Sequence, residues 1–171
     1  MMDWFKGLVL GIGVFLGLAE PREAPGLDFR VHRDAVTLYA SVELLELPGA
    51  GLDDVVRSGF RVRLTLEARA GDRRAVAWRD VRYDGAAYYV TVSESGTTHR
   101  SADAGGAWAM ASRFLRVPLG PVAGLAYPLD AEARVVLDLP DDADYDPMVL
   151  WGYRAASATR SFAGLGSIPY Y

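Results

Sequence analysis

The chain has no cysteine and a single lysine, Lys6, among its 171 residues. Without cysteine there is no disulfide framework, no thiolate metal site, no thiol nucleophile and no lipid-bearing cysteine, so stability has to come from an apolar core. Histidine is scarce as well. His32 falls on the polar face of an alternating segment and His99 in a polar stretch, and neither shows metal-ligand spacing such as HxxxH. Both read as surface histidines. Serine is plentiful, yet none lies in GxSxG or SxxK, the settings that expose and activate it as a nucleophile. The positive charge is almost all arginine, scattered rather than blocked, and the net charge is −4. Nucleic acid needs clustered cations facing its phosphates and is not an expected partner. No spacing implies a cofactor, and no enzymatic constellation is visible.

Long hydrophobic runs are missing with one exception. Residues 7–19 form an apolar run of 13, behind a short start carrying Asp3 and Lys6. That is the length of a signal-peptide core, whereas a membrane span needs roughly 20 apolar residues. Gly17 and Ala19 place small residues at the −3 and −1 positions, so cleavage before Glu20 is expected, with an uncleaved anchor as the alternative. Residues 1–19 read as a signal peptide, 20–26 as a flexible lead-in, 27–160 as a single globular domain and 161–171 as a loose tail. The chain left after cleavage suffices for one core. The expected location is exported, periplasmic or extracytoplasmic, with no membrane span after cleavage.

What is present is alternation. Between residues 60 and 94, three consecutive strands are predicted. Val62, Leu64, Leu66 and Ala68 alternate with charged neighbours, Gly71 and Asp72 supply a reversal, and residues 75–83 return. Val76 and Trp78 have one parity and Val81 and Tyr83 the other, which predicts a β-bulge near Arg79 and Asp80. Asp84-Gly85 reads as a two-residue turn, followed by a strand with Tyr88, Val90 and Val92 on one face and Tyr89, Thr91 and Ser93 on the other. Two earlier strands, around Phe29 and Leu38, read as a hairpin, followed by a short helix over 52–58 that Gly59 stops. Beyond the centre, 96–100 reads as a loop and 101–116 as the main helix, with Ala104, Trp108, Ala111 and Leu115 on its apolar stripe. A loop over 117–128 and a strand from Ala133 to Leu139 follow. Asp146-Pro147 predicts a helix over 147–159, with a strand through 149–153 as its rival. The fold class is α+β, a mostly antiparallel sheet of about six strands with one main helix packed on it; a β-sandwich is the alternative.

Two clusters are candidate sites. Asp142, Asp144 and Asp146 sit at alternate positions like the start of a calcium loop, but Pro147 stands where Gly is needed and Tyr153 where a bidentate Glu is needed. They are weak metal candidates. Arg63, Arg79 and Tyr89 are the candidate binding residues, belonging to a sheet face where Arg61, Arg69, Arg82 and Trp78 also fall; an acidic or glycan ligand would suit it. The simpler reading of the same arginines is cross-strand ion pairing with Glu67, Asp80 and Glu94.

With those segments placed, the chain resembles the bacterial exported family catalogued as domain of unknown function 4390. The resemblance covers about residues 34–140 and rests on the helix running into Gly59, Trp78-x-Asp80, Tyr88-Tyr89-Val90 and the alanine-rich Trp108 segment. Val117-Pro118-Leu119-Gly120, Leu125-Ala126-Tyr127 and Val135-Val136-Leu137-Asp138 complete it. The tail beyond Pro140 departs from the pattern. The resemblance implies an envelope protein of Gram-negative-type bacteria and carries no catalytic residue. Three functions follow as expectations: a non-enzymatic binding or scaffold module with an envelope protein partner, a carrier of a small apolar ligand, and a carboxylate-dependent hydrolase.

Overall fold

A computed structural model describes residues 26–47, 49–139 and 155–165. The expected signal peptide, most of the lead-in, the Asp142–Asp144–Asp146 cluster and the rival strand over 149–153 lie outside those residues. In chain order the elements are β1 (Leu27–Arg33), β2 (Thr37–Leu44), α1 (Gly49–Arg57), β3 (Val62–Ala70), β4 (Arg73–Tyr83) and β5 (Tyr88–Val92). They continue with β6 (Thr97–Ser101), α2 (Ala104–Ala111), β7 (Arg113–Pro121), β8 (Leu129–Asp138) and β9 (Ala155–Phe162). Every pairing is antiparallel. The strands divide into an open sheet of six, ordered β6-β5-β4-β3-β8-β9, and an open sheet of three, ordered β1-β2-β7.

The two sheets share one core. Phe29, Leu38, Val42 and Phe114 from the smaller sheet meet Val62, Leu64, Leu66 and Val135 from the larger one, all at most 2% exposed. Full burial of each such side chain contributes roughly 1.5 to 3 kcal/mol, which suits a chain without disulfides. The smaller sheet cannot cover all of the larger one, and two helices pack where it stops. α1 turns Leu52, Val55 and Val56 inward and is clipped to β5 by the Tyr88 hydroxyl, which donates to Asp53. Gly59 ends it with φ of 91°, a value that L side chains rarely adopt. α2 starts at Asp103, whose carboxylate accepts from the Gly106 N–H at 2.8 Å. A Cβ at Gly106 would stand 2.8 Å from Ser101 Oγ, so the glycine that weakens this helix is also what lets it approach β6.

Several expectations are corrected. Among the described residues both helices are short: α1 lies where a short helix is expected, and the expected main helix over 101–116 is cut to α2, which ends at Ala111 because the chain turns into β7. Strand parity then replaces helix periodicity: Phe114 is buried and Leu115 is 64% exposed, although the helical stripe had predicted Leu115 inward. Trp108 does face the core, at 6% exposure. The predicted loops over 96–100 and 117–128 contain β6 and most of β7, and residues 155–159, read as helix, lie in β9. β9 also takes Ser161 and Phe162 from the expected loose tail.

The bulge in β4 is absent. Its ladder with β3 runs unbroken from Val62↔Val81 to Ala70↔Arg73. Val76 and Trp78 belong to the outer face, and Val76 is 69% exposed. The Asp84 turn is longer than two residues, because Tyr83 pairs with Tyr88. Asp84 Oδ1 accepts from the N–H groups of Ala86 and Ala87, both at 2.9 Å, and Gly85 takes φ of 94°. A two-residue turn would set Tyr89 opposite Asp80. The four-residue loop keeps Tyr89 on the same face and slides it opposite Arg82.

Candidate functional site

The unbroken register of β4 decides where each arginine points. Residues 74, 76, 78, 80 and 82 share the outer face of the large sheet, and residues 75, 77, 79, 81 and 83 face the other sheet and the helices. Arg63 and Tyr89 lie on the outer face, whereas Arg79 lies on the inner one at 3% exposure. The structure thus brings two of the three candidate binding residues to one surface and sends the third into the core.

Arg79 is fully engaged there. Its guanidinium donates to Glu94 through two nitrogens, one contact at 2.7 Å, to the Trp78 carbonyl at 3.0 Å and to the Arg113 carbonyl at 3.2 Å. It also lies 4.4 Å from the centroid of the Phe114 ring. One side chain therefore ties β4 to the loop after β5 and to β7. Burial pushes the Glu94 carboxyl upward, and hydrogen bonds from Arg79 and Ser93 outweigh that and leave it below the usual range. A concavity of about 610 Å³ opens beside this corner, with Met110, Ala109 and the exposed Leu115 on its wall.

On the outer face, Arg63 is held as well. It donates to both oxygens of Asp80, at 2.6 and 2.9 Å, and lies 4.6 Å from the Trp78 ring centroid. Asp80 is 7% exposed and also has Arg61 at 3.5 Å. Arg69 pairs with Glu132 at 3.1 Å. Asp80 and Glu94 hold arginines as the simpler reading expects, whereas Arg69 pairs with Glu132 and, among the described residues, no arginine lies within ion-pairing distance of Glu67.

Arg74, Arg82, Arg100 and Arg134 are exposed without an ion pair among the described residues, and of these Arg82 and Arg100 flank an aromatic ring. Tyr89 is the cross-strand partner of both, of Arg82 on β4 and of Arg100 on β6, so the three form one row across the sheet. The Arg82 guanidinium lies 4.5 Å from the Tyr89 ring centroid. Among the described residues, neither Arg82 nor Arg100 has a carboxylate within ion-pairing distance, and both are exposed. Taken whole, the face carries Arg61, Arg63, Arg69, Arg74, Arg82, Arg100 and Arg134 against Glu67, Asp80, Asp84, Asp130, Glu132 and Asp138. It is net positive on a chain whose net charge is −4. Sequence reading placed Arg82 on this surface and missed Arg100, because β6 has no apolar alternation to announce it.

The outer face of the small sheet carries a second concavity, of about 260 Å³, lined by Asp28, Arg30, His32, Ser41, Glu43 and Leu115 among others. Tyr39 stacks on His32 at 5.7 Å and donates its hydroxyl to Asp34 at 2.8 Å, with Arg116 over its ring at 5.0 Å. Arg116 has φ of 56° and sits in a bulge opposite Ser41, to which it donates its N–H at 3.1 Å. Burial, and secondarily the Arg116 charge, lower the His32 pKa. Asp28 and Glu43 are directly opposite in the β1–β2 ladder, but Arg30 holds the first at 2.6 Å and Arg113 the second at 2.8 Å.

Among the described residues, no group of three or more His, Asp or Glu side chains is placed to hold a metal ion, and no helix is long and apolar enough to cross a membrane. Comparison of the chain with protein-family models, with curated proteins and with solved structures finds no match.

Proposed function

We propose that this is an exported, non-enzymatic binding module of the bacterial cell envelope whose ligand is an acidic partner received on the outer face of the large sheet. The apolar run over 7–19 and the resemblance to domain of unknown function 4390 support the location. One observation carries the binding reading. The large sheet turns a net-positive surface to solvent, with half-buried Trp78 and Tyr89 beneath Arg63 and Arg82, although the chain as a whole is acidic. Local charge of that sign steers acidic partners to the face, and aromatic rings beneath arginines give such a patch contact area as well as charge. The test is crosslinking and pull-down of the mature protein from envelope extract, with arginines of this face reversed in charge. Capture of an acidic envelope protein by wild type and its loss in the reversed protein supports the reading. A protein that stays monodisperse, with no crosslinked partner, counts against it.

The carrier reading asks for an enclosed apolar cavity, and Tyr88, Phe114 and Trp108 occupy the core where it would lie. The hydrolase reading has one observation in its favour, the presence of Asp28 and Glu43 in the same concavity. Its test is activity on glycoside substrates with Glu43→Gln as control; no turnover removes it.

A further inference from the structure

Three features of the molecule could do more than hold the fold together: the His32–Tyr39–Arg116 stack, the groove beside Arg79, and the Arg82–Tyr89–Arg100 row. In the first, the two carboxylates of the concavity, Asp28 and Glu43, are already held by Arg30 and Arg113, which leaves Arg116 over Tyr39 and the buried His32 Nε2 without a second cation beside them. In the second, all the groove's buried donors are spent on Glu94 and on backbone carbonyls. The third has donors left over.

We propose that Arg82 and Arg100 bracket a site for an oxyanion, the carboxylate or phosphate group of the acidic ligand, positioned over Tyr89. The inference rests on the binding reading above and adds where on the face the anionic group is held. Arg82 lies over the ring of Tyr89, 4.5 Å from its centroid, a contact that restrains the guanidinium while the side chain stays exposed. A stacked guanidinium loses less freedom when it binds than a free one does, and its fork geometry matches the two oxygens of a carboxylate or phosphate. Arg100 stands on the next strand in the same row. With adjacent strands about 4.8 Å apart, the Cα atoms of the two arginines are about 10 Å from each other, and long side chains from both can reach one anion between them.

The face holds its own competitor, and it acts on the Arg100 side of the row. Asp84, just past β4, gives Oδ1 to the Ala86 and Ala87 N–H groups, and the Tyr89 hydroxyl and the Arg100 charge lower its pKa further. Asp80 is occupied by Arg63 and Arg61. Arg82 is therefore the uncontested donor and Arg100 the shared one, so Arg82 dominates affinity.

The experiment is an NMR titration of the full mature protein with inorganic phosphate and, separately, with acetate, against sodium chloride at matched ionic strength. The result expected is saturable shifts at Arg82, Tyr89 and Arg100 that chloride does not produce. Binding should weaken roughly tenfold or more in Arg82→Gln, as the loss of a charge-assisted bond requires, and less in Arg100→Gln. The preferred probe, phosphate or acetate, identifies which group the site takes. Shifts spread over all exposed arginines, or equal in wild type and Arg82→Gln, overturn the proposal. So does equal response to chloride. Thermal melts of both variants should match wild type, and Arg82→Lys, which keeps the charge without the fork, controls for any that do not by showing intermediate affinity. If envelope capture survives Arg82→Gln, the module reading stands and this site falls. If phosphate binds the row but no acidic partner is captured, the site stands and the module reading falls.

Discussion

Arg79 and Arg82 lie three residues apart on one strand, each lies close to an aromatic ring, and they have opposite fates. Arg79 points between the sheets, is 3% exposed, and spends its donors on Glu94 and two carbonyls. Arg82 points to solvent over Tyr89, with no carboxylate in reach among the described residues. The difference is not in the arginines. It comes from strand parity, which is set by the unbroken β3–β4 ladder, and from where the next carboxylate falls. An arginine beside an aromatic residue becomes a structural clip when a desolvated acid completes it, and stays available to a ligand when none does.

The largest expected effect breaks the inner member of that pair. Glu94→Ala leaves the Arg79 guanidinium buried without its counter-charge, which should cost about 3 kcal/mol or more. Urea unfolding of the variant checks this, and a loss below about 1 kcal/mol would mean that water reaches Arg79 easily.

Arg63→Glu comes next and refines the boundary between the two classes. Arg63 is on the ligand-facing side, yet it neutralises Asp80, whose side chain is only 9% exposed. Reversal sets two carboxylates together and should destabilise by about 1 to 2 kcal/mol, discounted because the Arg63 side chain itself is 36% exposed. A melt unchanged from wild type would move Arg63 into the free class with Arg82.

A smaller effect is acid sensitivity at the turn that sets the row. Hydrogen bonds from the Ala86 and Ala87 N–H groups hold the Asp84 carboxyl down to about 2. In the unfolded chain it titrates near 3.9, so the stabilisation is present above about pH 4 and lost as pH falls through about 2. Following the Asp84 side chain and the Tyr89 ring by NMR should show both environments intact at pH 3 and changed near pH 2. The smallest effect is that of Arg82→Gln on stability, within about 0.5 kcal/mol by thermal melt, since an exposed side chain without an ion pair holds little of the fold.

Much of this was legible in the residues. The apolar alternation of β3, the Gly71-Asp72 reversal and Gly59 after α1 each state their local structure, and each is found in place. The face of Tyr89 was legible too. Its partner was not, because Asp84 builds a four-residue loop from side-chain bonds that a two-residue reading cannot see. β6 escaped because Thr97-Thr98-His99-Arg100 buries nothing and is a strand only through its ladder with β5. β7 escaped for a different reason. Its parity is broken by the bulge opposite Ser41, and Pro118 argues against a strand unless it lies on a sheet edge, which β7 does. The bulge expected in β4 let Arg79 share a face with Trp78; the unbroken ladder puts the two on opposite faces, Trp78 outside and Arg79 inside.

Because the chain has no cysteine, that parity can be measured directly with single cysteines and a thiol reagent in the folded protein. An unbroken strand requires fast labelling at Val76→Cys and Arg82→Cys and strong protection at Ala77→Cys and Val81→Cys. Protection at 82 with reactivity at 81 is the opposite result, which would turn Arg82 inward and take it away from Arg100 on the surface.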